Sequence, residues 1–150
     1  MWYHRVVENL SALPDFLDYY RQELAQARHE TAIKGNIERN LAALPGYTET
    51  RFSQLQEIEA VLDYLNIQLR KIRQKHFQIY LEKYAKALTS RDAERYADGE
   101  EEVVNYEILI GEVALLRNQY LGVIKALESK NFMLGHITRL RTASMEDATL

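Results

Sequence analysis

Residues 55–79 read LQEIEAVLDYLNIQLRKIRQKHFQI. Within this stretch Leu55, Ile58, Leu62, Leu65, Leu69, Ile72, His76 and Ile79 follow alternating steps of three and four. Such spacing places one seam along a long α-helix and turns it towards a partner helix. A second seam follows the same rule through Tyr106, Leu109, Val113, Leu116, Tyr120, Val123 and Leu127. The connection between the two is short, which makes the helices antiparallel neighbours. The predicted fold is all-α: a long antiparallel helical hairpin over residues 49–128 with flanking helices, within an oligomeric helical bundle.

The sequence outward from the hairpin predicts one domain of 150 residues. Pro14 suits the first turn of a helix, with Ser11 as a candidate cap. Phe16, Leu17, Tyr20, Leu24, Ile33, Ile37 and Leu41 continue that N-terminal segment to about residue 45, with a weak point at Gly35. Leu44-Pro45-Gly46-Tyr47-Thr48 reads as a turn, with Thr48 as cap of the first long helix. Beyond His76 that helix drifts onto Phe77, Leu81, Tyr84 and Leu88. Thr89 or Ser90 caps a short helix ending near Asp98-Gly99, and Glu100 to Glu102 place acid at the start of the next. Ser129-Lys130-Asn131 reads as a break, leaving a separate C-terminal helix over 130–141 and a fraying tail, 142–150. Val103, Val104, Ile108, Ile110, Leu115 and Ile124 widen the second apolar stripe beyond what a hairpin covers, so flanking helices or further copies must cover it.

Several function classes lack their residues. The absence of cysteine removes disulfides and thiolate chemistry and fits a reducing cytoplasm. The apolar residues lie in stripes, without a membrane span of roughly 20 residues, and the first residues lack the apolar run of a secretion signal. His29-Glu30 begins a zincin-like pair, but Ile33 stands where the second histidine belongs. His76 and His136 read as packed or interfacial side chains, no phosphate-cradling Gly-x-x-x-x-Gly-Lys loop is present, and the chain reads as non-catalytic, without cofactor or metal.

The charges carry more. Arg70, Lys71, Arg73, Lys75, Lys83 and Lys86 are opposed locally only by Glu82, and His76, Phe77, Tyr80 and Tyr84 lie among them. Cations for phosphates and rings for bases make up a sequence-independent single-strand binding surface. The other reading is internal pairing across a coiled coil. Asp92, Glu94, Asp98, Glu100, Glu101, Glu102 and Glu107, opposed only by Arg95, offer the matching acids. The overall charge of −3 excludes a uniformly basic binder but not a local basic strip.

The run from Leu69 to Phe77, then Glu94-Arg95-Tyr96 and the helix after it, and finally Phe132 to Arg141 resemble the UvsY-type recombination mediator proteins of tailed phages. The resemblance covers the C-terminal two thirds of the chain; the first 50 residues have no counterpart in it. In that family a Lys-x-Arg pair followed by two aromatics is tied to single-stranded DNA. Lys71 and Arg73 match the pair; His76 and Phe77 stand where tyrosines are usual, and Lys75 where an acid can stand. The resemblance implies a ring-like homo-oligomer that binds single-stranded DNA and helps load a RecA-like recombinase onto strands covered by single-strand-binding protein. Phe132, Met133, Ile137 and Leu140 would then supply the subunit contact. Two rivals share the helical hairpin: a phage packaging or virion component such as a small terminase-like ring, and a coiled-coil scaffold or inhibitor whose charges only set register.

Overall fold

A computed structural model describes residues 1–84 and 89–145. Lys86, Leu88 and the end of the tail, residues 146–150, lie outside the described residues. The described chain is all-α and contains no strand. Its helices are α1 (Trp2–Glu8), α2 (Leu13–Glu30), α3 (Ile37–Tyr84), α4 (Ser90–Asp98) and α5 (Glu101–Thr142), with a 3-10 turn at Leu10–Ala12. None is long and apolar enough to cross a membrane among the described residues.

α3 and α5 form the hairpin. Leu55, Ile58, Leu62, Leu65 and Leu69 from one seam, and Val113, Leu116, Tyr120, Val123 and Leu127 from the other, are buried. Their order is antiparallel: Gln54 meets Tyr120, Arg73 meets Glu107, and His76 meets Glu102. Towards the tip the seam loosens, and Ile72, His76, Phe77 and Ile79 are only half-buried.

α2 closes one side of the hairpin. Pro14 stands in its first turn, where a missing N–H breaks no helical bond. Leu13, Phe16, Leu17, Tyr20, Leu24 and Ala27 recur every three or four residues and form its buried stripe. Asn9, not Ser11, supplies the local cap: its side chain accepts from the Ser11 N–H at 3.0 Å. α2 stops at Glu30, before the predicted weak point, and Gly35 adopts φ +79°, a conformation that suits glycine. Asn36 then caps α3 by accepting from the Arg39 N–H at 3.1 Å.

Two predicted breaks are absent. Leu44-Pro45-Gly46-Tyr47-Thr48 lies inside α3. The missing proline N–H costs one helical bond, but Leu44 is buried in the core and Pro45 is exposed. The Thr48 hydroxyl donates to the Leu44 carbonyl at 2.9 Å instead of capping a new helix. Ser129-Lys130-Asn131 lies inside α5, which continues to Thr142, so the C-terminal helix over 130–141 is not separate. Lys130 is only 5% exposed. Its ammonium donates to the Glu30 carbonyl at 2.8 Å, placing a cation at the negative end of α2. This inward role removes the polar character that made the tripeptide read as a loop.

A buried polar network fastens α2 to the hairpin. Arg51, 4% exposed, forks onto Glu30, with Nε donating at 2.8 Å, while Nη1 reaches Glu23 at 2.7 Å and Gln54 Oε1 at 2.9 Å. The Tyr120 hydroxyl lies 3.2 Å from both Gln54 Oε1 and the Tyr20 carbonyl oxygen. Tyr20 donates in turn to Glu57, which also accepts from the Tyr3 N–H at 2.8 Å. The bonds to Glu30 hold the Arg51 guanidinium firmly protonated. Burial raises the Tyr20 and Tyr120 hydroxyls above their ordinary range, so both stay neutral donors.

Arg51→Ala leaves Glu30 without its partner and should destabilise the fold by about 3 kcal/mol in chemical denaturation. A loss below about 1 kcal/mol, the scale of an exposed pair, would refute the weight placed on the network. Glu23 gives a pH test. Hydrogen bonds from Gln54 first, then Arg51, hold its carboxyl below the ordinary value of 4.5. A depressed folded value stabilises above that pH and is lost as pH falls through it. The melting-temperature gap between wild type and Glu23→Gln should therefore be present at neutral pH and shrink below about 4.5. A gap independent of pH would remove Glu23 from the network.

Candidate nucleic-acid interface

The predicted basic strip lies on the tip half of α3, beside α4 and the start of α5. Helical geometry divides it. Arg70, Lys71, Lys75 and Lys83 are exposed, whereas Arg73 is half-buried and faces α4 and α5. Arg73 pairs with Glu107, and its Nε lies 3.3 Å from Asp98 Oδ1 without hydrogen-bonding geometry. His76 contacts Glu102 at 2.9 Å, and Tyr80 donates to Glu100. The His76 bond holds the Glu102 carboxyl below its usual range, with a smaller Coulombic pull from Lys75.

The acidic stretch is thus partly an internal partner. It pairs with Arg73 and His76, as the coiled-coil reading requires. Arg70 and Lys71 make no ion pair with any described residue within 4 Å. The two readings of the strip therefore divide between its two sides.

Two grooves flank this part of α3. The outer one, about 550 Å³, is lined by Ile67, Arg70, Lys71, Gln74, Lys75 and Gln78. The other, about 580 Å³, runs between α3 and α4, where Arg70, Arg73, Gln74 and Phe77 face Ser90 and Arg91. Arg70 and Gln74 border both, so the grooves meet along one ridge. Glu94 and Asp98 also line the second groove and temper its charge.

α4 exists because Thr89 caps it, its hydroxyl oxygen accepting from the Asp92 N–H at 3.2 Å, and because Ala93 and Ala97 are buried. This helix brings Arg91 to the strip, a contact that sequence order did not announce. It also brings Tyr96, which stacks on Tyr80 at 5.5 Å between ring centroids. Phe77 is half-buried in the α3–α4 groove. His76, Phe77 and Tyr80 are therefore turned towards α4 and α5, while the exposed side of the strip carries cations and amides. Among the described residues no group of three or more side chains is placed to hold a metal ion.

The four predicted contact residues near the C-terminus lie on the last three turns of α5. Phe132, Met133 and Leu140 are exposed and Ile137 is half-buried. No protein-family model, no curated protein and no solved structure matches the chain.

The division of the strip predicts different costs for neighbouring charges. Arg73→Ala should lower stability by about 0.5–1 kcal/mol, because it removes a half-buried partner of two partly exposed acids. Arg70→Ala and Lys71→Ala should each stay within about 0.5 kcal/mol of wild type. Urea titrations of the three variants check this, and equal losses would contradict the division.

Proposed function

We propose that this protein is a non-enzymatic, self-associating single-stranded-DNA-binding protein. The observation that carries the reading is the exposed side of α3, where Arg70 and Lys71 have no acidic partner among the described residues although seven acids lie between residues 92 and 107. Cations left unpaired beside an acid-rich segment suit a ligand that brings its own negative charge. The outer groove lined by Arg70, Lys71, Gln74, Lys75 and Gln78 follows a flexible phosphate backbone, and the half-buried Phe77 in the adjoining α3–α4 groove offers a ring to a base.

Few phosphate contacts per chain make weak binding. Several copies in one assembly multiply those contacts without adding a new one. The exposed Phe132, Met133 and Leu140 leave surface for such assembly. The resemblance to recombination mediators extends this reading to ring formation and to partnership with a RecA-like recombinase and single-strand-binding protein. A second reading, a coiled-coil scaffold, draws support from the internal pairing of Arg73 and His76.

Fluorescence anisotropy with single-stranded and duplex oligonucleotides across a salt series tests the proposal. Binding should weaken with salt and favour the single strand. Arg70→Ala with Lys71→Ala should lower the slope of log K against log salt by roughly 1.4, the value for two single-strand phosphate contacts. Absence of binding at low salt would sink the DNA reading and leave the scaffold.

A further inference from the structure

α5 has a second apolar row that no described residue covers. Its inward face is buried through Val113, Leu116, Tyr120, Val123, Leu127 and Leu134. On the outward face Val104, Ile108, Leu115, Met133 and Leu140 are exposed, Ile108 by 57% and Leu115 by 60%. They share a row of steps of three and four that also passes through Gly111 and Gly122. Each glycine inside a helix costs about 1 kcal/mol relative to alanine. No described residue lies within 4 Å of where a Cβ would stand at either position. The fold itself does not require the missing side chains; a second backbone approaching this row would.

The charge along α5 selects the partner and its direction. From Glu101 to Glu112 the helix carries acids and no base. From Arg117 to Arg141 it carries bases and one acid, Glu128. A parallel copy would set acid against acid and base against base. An antiparallel copy sets each acidic half against a basic half. It also opposes the two helix dipoles favourably.

We propose that the outward row of α5 pairs with the same row of a second copy, antiparallel and two-fold, centred on Gly122. A two-fold contact is self-complementary: residue i meets j and j meets i. With the centre at Gly122, Val104 faces the second copy's Leu140 position, Gly111 faces Met133, and Leu115 faces Ser129. The large side chain of Met133 thus enters the gap left by Gly111. The pair deepens the self-association in the functional reading and does not depend on DNA binding. The two Arg73–Glu107 contacts would lie about 45 Å apart along the paired helices, at 1.5 Å per residue.

The chain has no cysteine, so single-cysteine variants report proximity cleanly. Gly122→Cys should form a disulfide-linked dimer under mild oxidation. Leu115→Cys alone should not, but should link to Ser129→Cys after the two are mixed and re-equilibrated. The mixed pair also covers the case in which a side chain at position 122 spoils the close approach. Mass measured by light scattering accompanies each sample, and Ile108→Glu should reduce it to the monomer. Self-linking of Leu115→Cys as efficient as that of Gly122→Cys would mean a parallel arrangement and overturn the proposal. An oligomer that links at none of these positions would overturn it while leaving self-association intact. A monomeric wild type would remove both.

Discussion

The guanidinium of Arg51 is the constraint on which the arrangement of the helices depends. A buried cation is tolerated only when its donors are satisfied and its charge is matched. Glu30 and Glu23 from α2, and Gln54 one turn along α3, supply both. A one-turn slide of α2 along α3 would leave the buried cation and the largely buried Glu30 carboxylate unpaired, and the partly exposed Glu23 without its partner. Apolar contacts alone are less demanding, because a leucine row fits a neighbouring row in several registers. The network is joined to α5 through Tyr120 and Lys130, and to the N-terminal helix through Tyr20, Glu57 and the Tyr3 amide. One polar thread thus relates α1, α2, α3 and α5.

At the other end of the hairpin, charge has a different task. The tip has fewer fully buried side chains, and its helices are held by ion pairs across half-exposed surface. Such pairs are individually weak and screened by salt. They decide which cations remain available more than they decide stability. Arg73 and His76 are drawn inward by the acids of α4 and α5, and Arg70 and Lys71 are left on the outside. Helix geometry turns Lys71, two residues from Arg73, to another side of α3, whereas Arg70, three residues away, borders the same groove as Arg73 but makes no ion pair with a described residue. α4 shapes the site as well, since it lines one groove and supplies Arg91.

A molecule with two faces follows. In the proposed reading one side of α3 receives a negatively charged polymer and one side of α5 receives another copy. The faces lie on different helices, so assembly need not cover the cationic ridge. In an antiparallel pair the ridges stand well apart, which suits a long flexible strand better than a small ligand.

The sequence by itself determined the all-α class, the two heptad seams, the antiparallel hairpin and the short capped helix after Thr89. These follow from periodicity and from local side-chain bonds, which need no knowledge of distant residues. It also located the basic strip and the apolar surplus on α5. Only the tertiary structure decided that α3 passes through Pro45 and α5 through Ser129-Lys130-Asn131. At both places a local signal for a break was outweighed by burial of Leu44 and by the contact of Lys130 with the end of α2. Only the tertiary structure showed that Arg51 is a buried hub, since a lone arginine among polar neighbours in sequence resembles any solvated one. It likewise separated Arg73 from Arg70 and Lys71, because pairing depends on which side of α3 faces α4 and α5. Local propensity is written in neighbouring residues, whereas the cost of a break, a buried charge or an unpaired cation depends on what the rest of the chain brings to it.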